Sequence, residues 1–497
     1  MEILNTLTNQ KEEFVPLDDK RINMFVCGPT VYDYIHIGNA RTFVFFDVVA
    51  KYLKYKFGED KVTYIQNITD IDNKIINRAQ QENKTCKEIA DFYFIKFKED
   101  MKALGVTSPK YARATDYIEE VKKQIKNLKS KGNVYLIEND GWYFDLKTFP
   151  EYGKLSGRTA EMADDAVSRI DESEKKRNKG DFCVWKLVDK LETGYWDDKE
   201  LGYGRPGWHI EDTAITEKEF GPQYDIHGGG QDLIFPHHEA EIAQQSAAAG
   251  IKSEDFVKIW MHVGFLVSLL KKREEYGEYA KMSKSLGNFT TIRELFDKYS
   301  QSMPKYLKQI IRYYLLVNAH YKATLIIEDG SLKQSETAIK NFEEVLNRMR
   351  LAKKQITLHN KSSFEQKTKD CKKAFYEALD EDFNIPKAMG ILSSFVSEVN
   401  QAIDLKQIGI YNIDEALDLF KKVNKLLDII PIDSVPENIL REAEKIDELR
   451  EKKDFKTSDE IRRKIEAQNY KVSSSQLGTT VIAGIIIKNI EDNQPTK

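Results

Sequence analysis

The stretch "QYDIHGGGQDLIFPHHEAEIAQQSAAAGIKSEDFVKIWMHVGFL", residues 223–266, decides the fold class. Its first part, "QYDIHGGG", and its last, "FVKIWMHVGFL", are typical of strands, and "PHHEAEIAQQSAAAG" between them is typical of a helix. A strand, a crossover helix and a further strand indicate a parallel α/β sheet. Ligands of such sheets bind beyond the carboxyl ends of the strands, so functional side chains are expected where these strands end.

The same alternation occurs earlier in the chain. "INMFVCGPTVY" is typical of a buried strand that runs into a Gly-Pro turn, and "ARTFVFFDVVAKYLKYKFG" has helical periodicity up to Gly58. "KVTYIQNIT" predicts a second strand, and "DIDNKIINRAQQ" predicts a helix that begins behind Asp70. These segments extend the α/β pattern and predict a domain of Rossmann type.

The pattern changes along the chain and predicts several domains. We expect a Rossmann-type, parallel-sheet domain over residues 1–300, with an inserted, partly antiparallel subdomain at about 115–200. Helical spacing then predicts an α-helical bundle over 301–430. "PIDSVP", with two prolines, is typical of a linker and precedes a small C-terminal α+β domain, 437–497.

Composition excludes some classes of protein. A chain of 497 residues with net charge −4 is long enough for roughly two or three domains and is not of the type that coats nucleic acid indiscriminately. A local basic face is still compatible with that sum. The four cysteines form no CxxC pair, which favours free thiols in a cytoplasmic protein. We find no signal-type start and no apolar run of bilayer length, so we expect no membrane association.

"YIHIGNAR", residues 34–41, lies just after the first predicted strand and at the start of a helix. The free N–H groups and the positive dipole end of a helix N-terminus suit a phosphate group. His36 and Asn39 would add donors from the same turn. A surface turn with an ordinary histidine explains the octapeptide alone equally well.

"KMSKSLGN", residues 281–288, is more specific. Lys281 and Lys284 flank Ser283 in a predicted loop and would form a cationic clamp over a triphosphate, whose leaving group gains charge in the transition state. A generic lysine-rich pentamer is more often a solvated basic loop. Its position downstream of "HIGN" in one α/β domain favours the nucleotide.

Residues 236–241 suggest a metal site. Pro236 suits the first position of a helix, which would place His237 and Glu241 on one face and turn Glu239 elsewhere. A histidine nitrogen and a carboxylate at this spacing are half of a zinc site, although such pairs are more often surface partners. Cys27, at the end of the first strand, is a third candidate ligand. The segment "GRPGWHIEDTAI" supplies the remaining candidates, Asp212, Glu211 and His209.

Together these motifs resemble the cysteinyl-tRNA synthetases, a family of class I aminoacyl-tRNA synthetases. The resemblance rests on "MFVCGPTVYDYIHIGNAR", "QNITDIDNKII", "GRPGWHIE", "DIHGGGQDLIFPHHEAEIAQ" and "MHVGF" followed by "KMSKSLGN". It extends to "DFNIPKAMGIL" in the predicted bundle and to "DFKTSDEIRRKIEAQNYKV" beyond it, and so covers nearly the whole chain.

The resemblance implies a role for individual residues. The zinc ligands of the family, one ion per subunit, fall on Cys27, Asp212, His237 and Glu241. Its cysteine-binding residues fall on Thr69, Trp208 and His227. Its ATP site, with Mg²⁺ accompanying the nucleotide, falls on Pro29, Thr30, His36, Gly38, Asn39, Gly228, Gly229, Gly230, Asp232 and Lys284. His36, Asn39, Lys281 and Lys284 are the catalytic candidates, with Lys284 stabilising the leaving pyrophosphate.

At Asp212 the chain departs from the family, which usually has a second cysteine there. Cysteine and serine differ by one atom, and zinc that takes the substrate sulfur directly would select the thiol. We expect zinc to be retained in a Cys/Asp/His/Glu set with weaker affinity. The alternatives are that Glu211 fills in, that another metal is loaded, or that Asp212 is a plain helix cap and the site is lost.

Two further departures concern loops. "SLLKKREEYGEYA" lengthens the connection to the "KMSKS" loop, and "SSSQLGTTVI" lacks a tryptophan that often follows the family's "GTT".

The implied reaction has two steps. ATP activates L-cysteine to cysteinyl-adenylate and pyrophosphate, and the 3′-terminal adenosine of tRNA(Cys) then takes the cysteine. The bundle would bind the tRNA, the C-terminal domain would bind the anticodon, and the protein would be a monomer. The competing interpretations are a ligase that transfers cysteine to an amino sugar, a non-catalytic tRNA-binding paralogue and a simple nucleotidyltransferase. The long C-terminal half disfavours the first, and intact His36 and Lys284 disfavour the second. Length and the metal ligands disfavour the third.

Overall fold

A computed structural model describes most of the chain. The described residues are 1–158, 173–188, 195–269, 279–281, 290–300, 305–328, 330–355, 364–432, 435–475 and 477–483. The chain divides into two compact units. Met1–Phe289 and Tyr321–Leu325 form the first, and Thr290–His320 and Ile326–Lys497 form the second.

The first unit alternates strands and helices over most of its length. Its described strands, β1 to β13 in chain order, are Glu2–Asn5, Gln10–Glu13, Ile22–Val26, Val62–Ile68, Lys110–Arg113, Val134–Ile137, Gly141–Phe144, Phe182–Leu187, Gly204–Pro206, Tyr224–Gly230, Val257–Val263, Leu266–Leu269 and Tyr279–Lys281. Its described helices, α1 to α7, are Ile37–Phe57, Asn73–Glu82, Cys86–Ala103, Ile118–Ser130, Ile210–Phe220, Glu239–Ala249 and Ser253–Phe256.

A five-stranded parallel sheet is the centre of this unit. Its strand order is β11-β10-β3-β4-β5, and every neighbouring pair is parallel. When the five strands are numbered by their order in the chain and the sheet is read from β5 to β11, the order is 3-2-1-4-5. This is the order of a doubly wound fold. The order reverses between β3 and β10, and ligands of such sheets bind in the crevice at that switch point. The predicted α/β class is confirmed.

Burial explains why these segments are strands. All five residues of β3 and six of the seven residues of β4 are buried, as expected for central strands of a parallel sheet covered on both faces. The helix after β4 differs slightly from expectation. Its N-cap is Asp72, whose side chain accepts from the Lys74 N–H, whereas Asp70 accepts from the Arg113 Nε at 2.7 Å. Asp70 therefore joins β5 to the end of β4.

A second sheet lies between β5 and β10 in the chain. It is antiparallel, with strand order β6-β7-β8-β9, and its strands run from Val134 to Pro206. This is the antiparallel architecture expected of the insertion, whose bounds of about 115–200 remain a prediction.

The second unit is mainly helical. Its described helices, α8 to α15, are Ile292–Ser300, Leu307–Val317, Ser331–Gln355, Phe364–Asp380, Ile385–Asp404, Ile410–Leu427, Glu437–Glu451 and Phe455–Ala467. Its remaining described strands, β15 and β16, are Tyr470–Ser475 and Gly478–Ala483 and pair as an antiparallel hairpin, while β14, Leu325–Ile327, begins in the first unit. The last two helices and the hairpin share a small apolar core around Ile446, Ile465 and Val481. The division at 430–437 remains a prediction. None of the helices in the described ranges is long and apolar enough to cross a membrane.

Arg41 of α1 forms hydrogen bonds with the loop that follows β11 and with Ala323. The side chain is 1% exposed, and its guanidinium donates to the carbonyls of Gly264 at 2.9 Å, Phe265 at 2.8 Å and Ala323 at 2.8 Å.

We predict that Arg41→Met lowers the free energy of unfolding by about 3 kcal/mol, because it leaves buried carbonyls without donors. Calorimetry would detect this as a lower Tm. The matched variant Arg21→Met removes only an exposed ion pair with Asp18 and should leave the Tm unchanged; equal shifts in the two variants would contradict the interpretation.

Candidate active site and metal-binding cluster

Cys27 lies at the switch point of the parallel sheet. It follows β3 directly, and its N–H donates to the Gly228 carbonyl of β10 at 3.0 Å. That backbone pairing brings its sulfur to 3.4 Å from the Nε2 of His227, which lies in the same strand as Gly228. The residue that follows β3 and a residue of β10 thus bring two candidate functional side chains together.

His237 and Glu241 meet as their spacing predicts, with 3.0 Å between Nε2 and Oε1. The local helix differs from expectation, however. Ile234–His238 forms a wide turn in which Phe235 has extended angles (φ −138°, ψ 131°), and α6 begins only at Glu239. Glu239 turns away, as expected, and accepts from the Gly153 N–H at 3.0 Å.

Asp212 completes the predicted set of ligands. It lies in the first turn of α5, and its Oδ2 is 3.0 Å from the Nε2 of His237 and 3.5 Å from the sulfur of Cys27. The candidate ligand atoms of Cys27, Asp212, His237 and Glu241 all lie within 4.8 Å of one another, and each residue is buried. We call these four residues the ligand cluster. Asp212 is therefore not a plain helix cap.

His238 is a candidate ligand that the sequence interpretation missed. Its Nε2 is 3.2 Å from the sulfur of Cys27, and with Cys27, His227 and Glu241 it forms a second set of closely spaced donor atoms. Its only sequence signal is its position next to His237.

The imidazoles around the cluster are oriented by hydrogen bonds at their other nitrogen. The Nδ1 of His227 is 2.6 Å from the Tyr224 hydroxyl. The Nδ1 of His238 is 2.7 Å from a nitrogen of His262, and that of His237 is 2.7 Å from the Nδ1 of His209. A partner at Nδ1 fixes ring orientation, and here it leaves every Nε2 directed into the cluster.

The buried acidic groups of the cluster have no cationic side chain beside them, and their ionisation is unfavourable. Burial first, and then the neighbouring carboxylates of Glu241 and Asp212, raise the pKa of the Cys27 thiol well above its usual range. Burial and Asp212 likewise raise the pKa of Glu241, whose Oε2 accepts no hydrogen bond. Asp212 and Glu241 make no contact with a lysine or arginine among the described residues. Sulfur, imidazole nitrogen and carboxylate oxygens that lack a cationic partner fit a divalent cation such as zinc.

Glu211 lies beside this cluster but outside it. One of its carboxylate oxygens accepts a hydrogen bond from the Thr69 hydroxyl, and burial followed by Asp212 raises its pKa well above the usual value. It belongs to neither set of closely spaced ligand atoms in the described residues. The geometry therefore favours Asp212 over Glu211 as the carboxylate ligand from α5.

A cleft of about 290 Å³ opens above Cys27. The turn that leads into α1 lines it, with His36 as the N-cap, whose Nδ1 accepts from the Asn39 N–H at 3.3 Å. A Cβ at Gly38 would come within 2.7 Å of that imidazole nitrogen, so a larger residue there would have to displace the His36 ring. Trp208 also lines the cleft and stacks on His237 with 4.4 Å between ring centres. Pro29 and Thr30 line the same wall.

The three glycines after His227 have different surroundings. A Cβ at Gly228 would lie 2.3 Å from the ring of Phe46, and one at Gly229 would lie 2.9 Å from the ring of His238. Gly230, together with Asp232, is the one that lines the cleft. Internal side chains thus occupy the space that a Cβ would take at the first two, and the expectation that all three let adenosine approach the backbone remains a prediction.

The structure gives less information about the remaining predicted site residues. Thr69 is 2% exposed and His227 fully buried, so both lie beneath the cleft surface. Lys281 ends β13, whose partner is β12, and Lys284 lies outside the described residues. The sequence interpretation missed Lys74, which lines the cleft with its ammonium 5.4 Å from the centre of the Tyr32 ring.

Comparison with known proteins agrees with this geometry. Residues 13–337 match the family model described as tRNA synthetases class I (C) catalytic domain, and residues 374–430 match the DALR domain. Over 494 residues the chain is 39% identical to a cysteine--tRNA ligase of Thermodesulfovibrio yellowstonii, covering 94% of this chain and 96% of that protein. The chain belongs to the cysteine--tRNA ligase family.

Further relatives carry the same name. The chain is 41% identical over 431 residues to the cysteine--tRNA ligase of Thermoplasma acidophilum, covering 86% of this chain and 88% of that one. A solved structure of Mycobacterium tuberculosis methionyl-tRNA synthetase in complex with methionyl-adenylate has a TM-score of 0.61 at 12% identity, covering 82% of this chain and 92% of that chain. At that identity the likeness shows a common fold alone.

Glu241→Gln should have opposite effects on the metal-free and the metal-loaded protein. In metal-free protein, Glu241→Gln removes a buried carboxyl group whose ionisation is opposed by burial and by Asp212, and should raise stability by on the order of 1 kcal/mol, or about 2–4 °C in Tm for a large domain. In metal-loaded protein the same change removes a ligand and should weaken metal affinity by at least about 10-fold. Calorimetry with and without chelator, and competition with a coloured chelator, measure the two effects. Glu239→Gln, which alters a buried carboxylate outside the cluster, should leave metal affinity unchanged; an equal loss there would contradict the assignment.

Proposed function

We propose that this protein joins L-cysteine to tRNA(Cys) in an ATP-dependent reaction, with a zinc ion held by Cys27, Asp212, His237 and Glu241. One observation supports this most directly. A buried ligand cluster reaches the lining of a cleft through Cys27, and the helix N-terminus at His36 lines the same cleft. A thiol-selecting site and a phosphate-binding turn therefore face the same space.

When bound, the ion would take the sulfur of the substrate and so select cysteine against serine. Trp208, which stacks on His237 and lines the cleft, would contact the substrate side chain. Thr69 and His227 are assigned to the floor of the amino-acid pocket, since both lie beneath the cleft surface. Thr69 would act there by holding Glu211, and His227 by packing against the sulfur of Cys27.

The nucleotide would lie along the α1 turn. The N-terminal N–H groups of α1, with His36 and Asn39, would bind phosphate oxygens, and Pro29, Thr30 and Gly38 would shape the turn around them. Gly230 and Asp232 would contact the nucleoside, while Gly228 and Gly229 would keep β10 close to its neighbours. Lys281 and Lys284 would stabilise the charge on the departing pyrophosphate, which Mg²⁺ accompanies.

Catalysis of adenylate formation would rest on positioning and charge stabilisation. The carboxylate of cysteine attacks the α-phosphorus of ATP, and pyrophosphate leaves, so no protein nucleophile is needed. In the second step a hydroxyl of the 3′-terminal adenosine takes the cysteinyl group and AMP leaves. We assign tRNA binding to residues 301–430 and anticodon recognition to 437–497, and we propose a cytoplasmic monomer.

Cysteine-dependent ATP–pyrophosphate exchange tests the proposal. We expect exchange with cysteine, little with serine, loss of exchange after chelation and recovery on adding zinc. Exchange that survives removal of the metal would mean that Trp208, Thr69 and His227 select the substrate without an ion. No exchange under any condition, with folded and metal-loaded protein, would contradict the enzymatic function. Transfer of labelled cysteine to tRNA(Cys), but not to an amino sugar, tests the second step.

Lys284→Ala should slow ATP–pyrophosphate exchange by about 100-fold or more, because the charge on the leaving pyrophosphate loses a donor. The KM for cysteine should change little, since the lysine acts at the phosphates. Lys271→Ala, in the lengthened connection before the "KMSKS" loop, serves as the matched control and should leave the exchange rate unchanged. Equal rates for the two variants would refute the role of Lys284.

A further inference from the structure

Asn67 connects the ligand cluster to the cleft and has no role in the mechanism above. It is the second-last residue of β4 and is 2% exposed. Its Oδ1 accepts a hydrogen bond from the Gly28 N–H, immediately after Cys27. Its Nδ2 donates to Oδ1 of Asp212, and the same nitrogen lies 3.5 Å from the Thr69 hydroxyl. One amide thus holds the segments that carry two of the four proposed ligands.

The partners of the Asn67 amide fix its orientation. A backbone N–H can only donate, so the atom facing Gly28 must be the amide oxygen. With the oxygen placed there, the atom facing Asp212 is the amide nitrogen, which donates to the carboxylate oxygen Oδ1. A flipped amide would place oxygen against oxygen and an N–H against an N–H. The hydrogen-bond pattern has therefore one solution.

This amide makes the two oxygens of Asp212 unequal. Oδ1 accepts from Asn67, whereas Oδ2 lies 3.0 Å from the Nε2 of His237 and 3.5 Å from the sulfur of Cys27. Only Oδ2 contacts the other members of the cluster among the described residues. The carboxylate is thereby oriented to offer a metal one oxygen and not two.

The backbone at Asn67 packs directly against the segment that follows Cys27. A Cβ at Gly28 would come within 1.8 Å of the Asn67 carbonyl oxygen, so the two backbones are in direct contact. Residues Thr30 and Thr69 continue the contact as a parallel bridge. The position of the Asn67 amide is consequently set by the sheet and not by the loops around the cleft.

We infer that Asn67 is a positioning residue that holds Asp212 as a single-oxygen metal ligand and so keeps a coordination position free for the substrate sulfur. The inference rests on the proposed function. Catalytic zinc accepts four ligands and expands to five, so a carboxylate that bound through both oxygens would occupy the position that an incoming thiolate needs. A thiolate ligand offers one atom, and the hydrogen bond from Asn67 makes Asp212 equivalent to it in donor count.

Cobalt-loaded protein tests this without ATP or tRNA. Tetrahedral Co²⁺ absorbs visible light several times more strongly than five- or six-coordinate Co²⁺, and an added thiolate ligand produces a charge-transfer band. In Asn67→Leu, which has similar size but no amide, we expect weaker visible absorption before substrate is added. Titration with cysteine should then show about tenfold weaker binding, with a smaller change in cobalt affinity.

The matched control is the same substitution in an Asp212→Cys background. There the ligand offers one atom whatever Asn67 does, so Asn67→Leu should leave the cobalt spectrum and the cysteine titration nearly unchanged. Equal spectral changes in both backgrounds would show a merely structural effect of Asn67 and overturn the inference. If Asn67→Leu does not fold, Asn67→Ala removes the same hydrogen bonds without steric conflict and must give the same result.

The proposed function and this inference fail in different ways. If wild-type protein binds cobalt but shows no spectral response to cysteine, the thiol-binding function is wrong. If wild type responds and the Asn67 variants respond identically, thiol binding stands and the role of Asn67 is wrong.

Discussion

The hydrogen bond from the Cys27 N–H to the Gly228 carbonyl, 3.0 Å long, extends the pairing of β3 and β10 past the end of β3. The rest of the site depends on it. It occurs where the strand order of the parallel sheet reverses, so the crevice between the two strands is already open to a ligand. Cys27 points into that crevice from one strand, and His227 lies against it from the other. No loop has to be ordered to bring them together.

Electrostatics imposes a second constraint on the same point. A thiol and two carboxylates are buried within contact of one another, and burial of such groups costs several kcal/mol each unless they are paired or bind a metal. The fold separates a third carboxylate, that of Glu211, by giving it the hydroxyl of Thr69. The cluster is therefore destabilising by itself and stabilising with a cation, which couples metal binding to the stability of the first unit.

The sequence predicted the features that depend on helical periodicity and on where the strands end. His237 and Glu241 meet because four residues make about one helical turn, and Cys27 lies at the carboxyl end of the parallel sheet because it directly follows a buried strand. The features it did not predict depend on distant contacts. Asn67 and Asp212 are 145 positions apart, and nothing in "QNITD" indicates which face of the sheet the amide meets. The packing of Gly228 against Phe46 is of the same kind, since no glycine-rich run shows whether a ligand or a neighbouring ring takes the space.

Asp212, as the proposed metal ligand, differs from a thiol in both reach and bond length. A carboxylate is longer than a thiol by one bond, but zinc–oxygen distances are shorter than zinc–sulfur distances, about 2.0–2.2 Å against about 2.3 Å. The longer side chain of aspartate and the shorter zinc–oxygen bond therefore offset each other in part.

The second oxygen of the carboxylate is the feature that a thiol lacks, and it needs a donor because it is buried. Asn67 supplies that donor from β4, and its other atom is already used by the backbone next to Cys27. A sulfur at position 212 would be only a weak acceptor for the amide of Asn67, whereas the oxygen of aspartate is a stronger one. As the proposed ligand, aspartate at position 212 is therefore oriented more strongly by Asn67 than a cysteine there would be.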